Sequence, residues 1–125
     1  MKVKNILDLS LDLIGLRNTD GTVPASCDDL KQRAPALLTI LATDYKGIDS
    51  RATGKKTKIQ TISSLEDDVA LSTELCTTVI AYLLSALLIE DEDQALAATF
   101  RHIAENALTR FGHSKAKVHE IKEVY

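Results

Sequence analysis

Residues 79–89 read VIAYLLSALLI, and with Leu75 they build a strongly apolar helical face of Leu75, Val79, Leu83, Ala86 and Leu87. This run decides the fold: it predicts a helix over about 73–90, the most buried of the chain. Ser72 stands where an N-cap is needed, and Glu74 follows in the first turn. The run is about half the roughly 20 residues that a membrane span requires, so it belongs to a protein core.

Downstream, residues 90–93 (EDED) form an acidic turn, and Asp93 is placed to cap a fourth helix over about 94–111. Its stripe is Ala97, Phe100, Ile103, Ala104, Ala107, Leu108 and Phe111, with Gly112 as the expected stop. The two helices make an αα-hairpin. Residues 113–125 carry Lys115, Lys117 and Lys122 with Val118, Ile121, Val124 and Tyr125. This short amphipathic tail reads equally as further helical turns, a strand added to a partner, or a segment ordered in a complex.

Upstream, Val3, Ile6, Leu7, Leu13 and Ile14 share one face of a first helix over about 2–15, ending near Gly15. Asp8 and Asp12 interrupt the opening apolar stretch, so it reads as a helix of the mature protein and not as a secretion signal. Residues 17–24 (RNTDGTVP) read as a loop. A second helix over about 28–45, capped by Ser26 or Asp28, carries Leu30, Ala34, Leu37, Leu38, Leu41 and Tyr45. Pro35 inside it predicts a kink or a break into two pieces.

Between the second and third helices lies an insertion over 46–71. Its first part, residues 46–58 (KGIDSRATGKKTK), reads as an exposed basic loop in which Lys46, Arg51, Lys55, Lys56 and Lys58 face Asp49 alone. Lys58, Ile59, Gln60, Thr61 and Ile62 then alternate as one half-buried strand does, with a second short strand or turn near residues 65–71. From residue 59 to residue 94 every charge is negative: Glu66, Asp67, Asp68, Glu74, Glu90, Asp91, Glu92 and Asp93. The surface is therefore polarised along the chain.

The 125 residues are 45% hydrophobic and 26% charged, which predicts one soluble domain over 1–112 and excludes wholesale disorder. A net charge of -3 excludes strong bulk attraction to nucleic acid, so any DNA contact must be local. Cys27 and Cys76 read as reduced, buried residues of a reducing compartment. Gly54 and Lys55 are the nearest thing to a phosphate loop, but six residues separate Gly47 from Gly54 where four are needed. His102, His113 and His119 are dispersed and no CxxC pair occurs, so no metal or cofactor is expected. With no nucleophile beside an oriented base, the chain does not read as an enzyme.

Three passages resemble the head-to-tail connector proteins of tailed bacteriophages. Residues 2–16 resemble their first helix, residues 29–45 their second, and residues 62–72 (ISSLEDDVALS) running into 79–88 and the acidic turn resemble a pattern of short phage neck proteins. The elements read above make a mainly α fold, a four-helix antiparallel bundle with the basic loop and a short strand or hairpin between helices 2 and 3, plus an extended or helical C-terminal tail; the resemblance adds an assembly to that fold. It implies a ring of identical subunits, commonly twelve, assembled in the host bacterial cytoplasm and docked in the virion neck on the portal protein. The other face of the ring would meet a tail-side neck protein, a stopper or a tail-completion factor.

Under this resemblance Lys46, Arg51, Lys55, Lys56 and Lys58 meet packaged DNA or a neighbouring subunit. Glu66, Asp67, Asp68, Glu90, Asp91, Glu92 and Asp93 form the acidic partner surface. Lys115, Lys117, Val118, Ile121, Val124 and Tyr125 grip the portal, and no membrane is involved. The alternative is a small helical nucleic-acid-binding or regulatory protein that uses the loop 46–58.

Overall fold

A helix begins with four backbone N–H groups that its own carbonyls do not reach. In the computed structural model, which describes residues 1–56, 58 and 61–124 and side chains up to Phe111, α1 (Val3–Leu13) settles this debt with a distant loop. Val3 N–H donates to the Asp67 carbonyl at 2.9 Å, and Lys4 N–H donates to that of Leu65 at 2.9 Å. Val69 N–H returns a bond to Met1 O at 2.9 Å, and Lys2 and Asp68 form an isolated antiparallel bridge. At the other end of α1, Leu16 N–H reaches Leu11 O at 2.9 Å and Gly15 N–H reaches Asp12 O at 3.1 Å. That is a Schellman closure, and it needs the left-handed φ of 72° that Gly15 supplies.

The fold is mainly α. After a 3-10 turn (Ala25–Cys27) comes α2 (Asp28–Thr53), whose N-cap is Cys27 with no side-chain cap bond. Neither Ser26 nor Asp28 therefore caps it; Asp28 and Asp29 instead put negative charge against the positive end of the helix. The helix passes Pro35 as one element and does not break in two. It also continues two turns beyond the expected end at residue 45, because Asp49 and Ala52 extend the buried stripe of Ala34, Leu38, Leu41 and Ala42. Lys46 and Arg51 thus lie on a helix and not in a loop.

Three segments, Thr73–Leu75, a π-helical stretch Cys76–Ile80, and Ala81–Ile89, run on as one rod, α3. Ser72 caps it as expected, its hydroxyl accepting from Leu75 N–H at 3.4 Å. Leu75, Val79, Ile80 and Leu84 are wholly buried, whereas Leu83 and Leu87 are half-buried. Asp93 Oδ1 accepts from Leu96 N–H at 3.0 Å and opens α4 (Gln94–Val124).

This last helix does not stop at Gly112. A glycine in a helix interior costs only about 1 kcal/mol relative to alanine, and Lys115, Ala116, Lys117, Glu120, Ile121 and Lys122 beyond it favour a helix. The tail is accordingly helical to Val124. The segment 61–72 holds no strand among the described residues, only the single bridge. Ile59 and Gln60, which the expected strand 58–62 requires, lie outside the described residues, as does Tyr125.

One large core joins all four helices, and Ala86, Ile89, Ala97 and Phe100 form a smaller cluster near the α3–α4 turn. There Tyr82 and Phe100 pack with ring centroids 5.9 Å apart. Ile62 is buried against α2, its N–H donating to Thr39 Oγ1 at 3.0 Å.

α1 and α3 approach to within hydroxyl reach of each other's backbone. Ser10 Oγ lies 3.0 Å from both Ile6 O and Ala81 O, and Ser85 Oγ lies 3.1 Å from Ser10 O and 2.9 Å from Ala81 O. Both serines are wholly buried. Only small side chains let one backbone come within a hydroxyl's reach of the other. Ser10→Leu is expected to push α1 off α3 and cost roughly 1–3 kcal/mol in urea unfolding. Ser10→Ala, which keeps the close approach, should cost about 1 kcal/mol or less.

Candidate functional site

Where α2 ends and α3 begins, the chain forms an open cleft of about 390 Å³ lined by Asp49, Thr53, Lys55, Lys56, Lys58, Ala70 and Ser72. Gly54, at a φ of 73°, turns the backbone out of α2. Thr53 Oγ1 donates to Asp49 O at 2.8 Å and accepts from Lys55 N–H at 3.3 Å, which fixes the path leading to the lysines. Lys55, Lys56 and Lys58 are exposed and make no ion pair among the described residues.

The floor of the cleft is Asp49, a carboxylate only 3% exposed. Both of its oxygens lie 3.3 Å from Ser72 N, directly before the positive end of α3. That end is a natural anion site, and here the chain's own carboxylate holds it. An external anion would therefore meet the lysines and not the helix terminus.

The five basic residues expected to act together are divided. Lys55, Lys56 and Lys58 line the cleft, while Lys46 and Arg51 are exposed on the body of α2. The acidic residues are divided as well. Glu66 pairs with Lys2 at 3.2 Å, and Asp67 Oδ2 accepts from the N–H groups of Ser63 and Ser64 at 3.0 Å each. These two, with the exposed Asp68, lie beside the start of α1. At the far end of α3, Glu90 reaches Arg101 at 3.5 Å, Asp93 caps α4, and Asp91 and Glu92 are exposed. The side chains of Lys115, Lys117, Val118, Ile121, Val124 and Tyr125 lie outside the described residues.

Asp49 was not legible as a buried group when counted as the one acid of a loop. The signal that finds it is the three-and-four spacing Leu38, Ala42, Tyr45, Asp49, Ala52, which continues the stripe of α2. Burial pushes the Cys76 thiol up to about 11, and the nearby Asp49 charge adds to the effect. Both Cys27 and Cys76 are free and buried. Among the described residues there is no group of three or more His, Cys, Asp or Glu that could hold a metal ion. No helix among them is long and apolar enough to cross a membrane. No protein-family model, curated protein or solved structure matches the chain.

Removing the carboxylate with Asp49→Ala leaves Ser72 N–H without this acceptor, and a loss of roughly 1–3 kcal/mol is expected in urea unfolding. Native protein at pH 8 should react slowly with a thiol reagent at both cysteines and rapidly once unfolded, because the thiols are buried and Cys76 stays protonated. The N–H groups of Ser63 and Ser64 hold the Asp67 carboxyl below its ordinary 3.8. Their support for the 63–69 turn is fully present above 3.8 and fades as pH falls through the lower folded value. Amide resonances of Ser63 and Ser64 should titrate with a midpoint below 3.8, and Asp67→Asn should abolish that titration.

Proposed function

We propose that this chain is a structural protein of a tailed-phage virion neck, an adaptor whose subunits form a ring on the portal and connect it to the next neck or tail component. The reading takes the four helices as an antiparallel bundle whose outer faces are shared with neighbouring subunits. The observation that carries it is the length of α4. It runs as one helix over 31 residues from Gln94 to Val124, roughly 45 Å at 1.5 Å per residue. A terminal helix of this length would supply the grip on the portal that the family resemblance implies for residues 113–125.

Exposed aliphatic side chains support the same reading. Ile40 is 58% exposed on α2, and Leu9, Leu16 and Ile103 are more than a third exposed. Scattered apolar residues are ordinary on a protein surface, so they add weight only beside the long helix. The alternative, a small helical nucleic-acid-binding or regulatory protein, draws on the grouping of Lys55, Lys56 and Lys58 in one cleft.

Co-sedimentation with the portal protein of the same genome neighbourhood tests the proposal. Full-length protein is expected to pellet with the portal, and a chain ending at Gly112 is expected to stay in solution. Binding by neither removes the portal adaptor. Salt-sensitive binding of the full chain to duplex DNA, without portal binding, would favour the alternative.

A further inference from the structure

Two groups of like charge that make no ion pair among the described residues sit at opposite ends of α3. At its beginning, Lys55, Lys56 and Lys58 line the cleft with no ion pair among the described residues. At its end, the turn 90–93 uses Glu90 on Arg101 and Asp93 as a cap, which leaves Asp91 and Glu92 exposed with no ion pair among those residues. The length of α3 separates the two groups by roughly 25 Å. That is about three times the Debye length at physiological salt, so they do not compensate each other within one chain.

In the nearer acidic group two of the three carboxylates are already engaged, and the third, Asp68, is exposed beside the start of α1. Glu66 is held by Lys2, and Asp67 by Ser63 and Ser64. Asp49 fills the α3 terminus at the cleft floor, so an incoming acid is met at the rim by the three lysines.

We propose that the lysine cleft receives the 90–93 turn of a second copy of this chain, with Asp91 and Glu92 facing Lys55, Lys56 and Lys58. Each copy holds a neighbour with one end and is held by the other. Such a heterologous contact repeats, closing into a ring or running on as a filament. The pairing deepens the adaptor reading and rests on it for closure into a ring, but the contact itself forms without a portal. Because the pairing is electrostatic, it sets which ends meet and how fast, and salt weakens it.

Sedimentation velocity of the full chain at low and high salt tests this, with two charge-reversed variants. One carries Lys55→Glu, Lys56→Glu and Lys58→Glu and is acidic at both ends. The other carries Asp91→Lys and Glu92→Lys and is basic at both ends. Wild type is expected to self-associate at low salt, each variant alone to associate about tenfold more weakly, and an equimolar mixture of the two to recover association. All five positions are exposed, and circular dichroism of each variant should match wild type. A wild type that stays monomeric at low salt, a variant that associates as wild type does, or a mixture that fails to recover overturns the proposal.

The portal experiment separates this result from the adaptor reading. Salt-sensitive association rescued by mixing, without portal binding, retains the contact and removes the adaptor. Portal binding with reversal variants that associate like wild type does the opposite.

Discussion

A helix that is apolar on nearly all sides has little face to offer water, and α3 beyond Thr78 is such a helix. From Leu75 to Ile89 its larger side chains are buried or half-buried, so other elements must surround it. Burial of this kind is the dominant favourable contribution to folding, roughly 25 cal/mol for each Å² removed from water. The positions of α1, α2 and α4 follow from that need. Each brings a stripe of Leu, Ile, Ala or Phe to the same rod, and polar groups are admitted only where they are bonded.

Those polar groups define the joints. Ser10 and Ser85 let α1 and α3 approach to hydroxyl distance because each hydroxyl finds a backbone carbonyl. Asp49 joins α2 to the start of α3 through Ser72 N–H, and Thr39 joins α2 to Ile62. Among the described residues that are not exposed, every buried side-chain nitrogen or oxygen has a partner. The insertion between α2 and α3 is thus fastened at several points although its described residues hold no regular structure after Gly54.

Much of this was legible in the sequence. The four helices, the Gly15 stop, and the Ser72 and Asp93 caps follow from apolar periodicity and from residues whose local chemistry suits one place in a helix. What misled was punctuation. Gly47, Asp49 and Ser50 look like loop residues, yet tertiary packing of Asp49 and Ala52 carries α2 to Thr53. Gly112 looks like a stop, but a glycine ends a helix only where the chain turns. Periodicity also could not choose the deepest face of α3, because Leu83 and Leu84 are equally apolar and only the surrounding helices decide between them. As for the candidate site, the lysines were visible as a group, while the carboxylate beneath them and the division of the acids were not.

The start of α1 has a further consequence for how the chain folds. The carbonyls that cap this helix belong to Leu65 and Asp67, and its contacts with α3 are made to Ala81 and Ser85. Bringing segments so distant in sequence together is the slow part of folding. α1 therefore stays uncapped and undocked until residues 65–85 are in place, and the domain closes around these distant contacts instead of growing outward from its first helix.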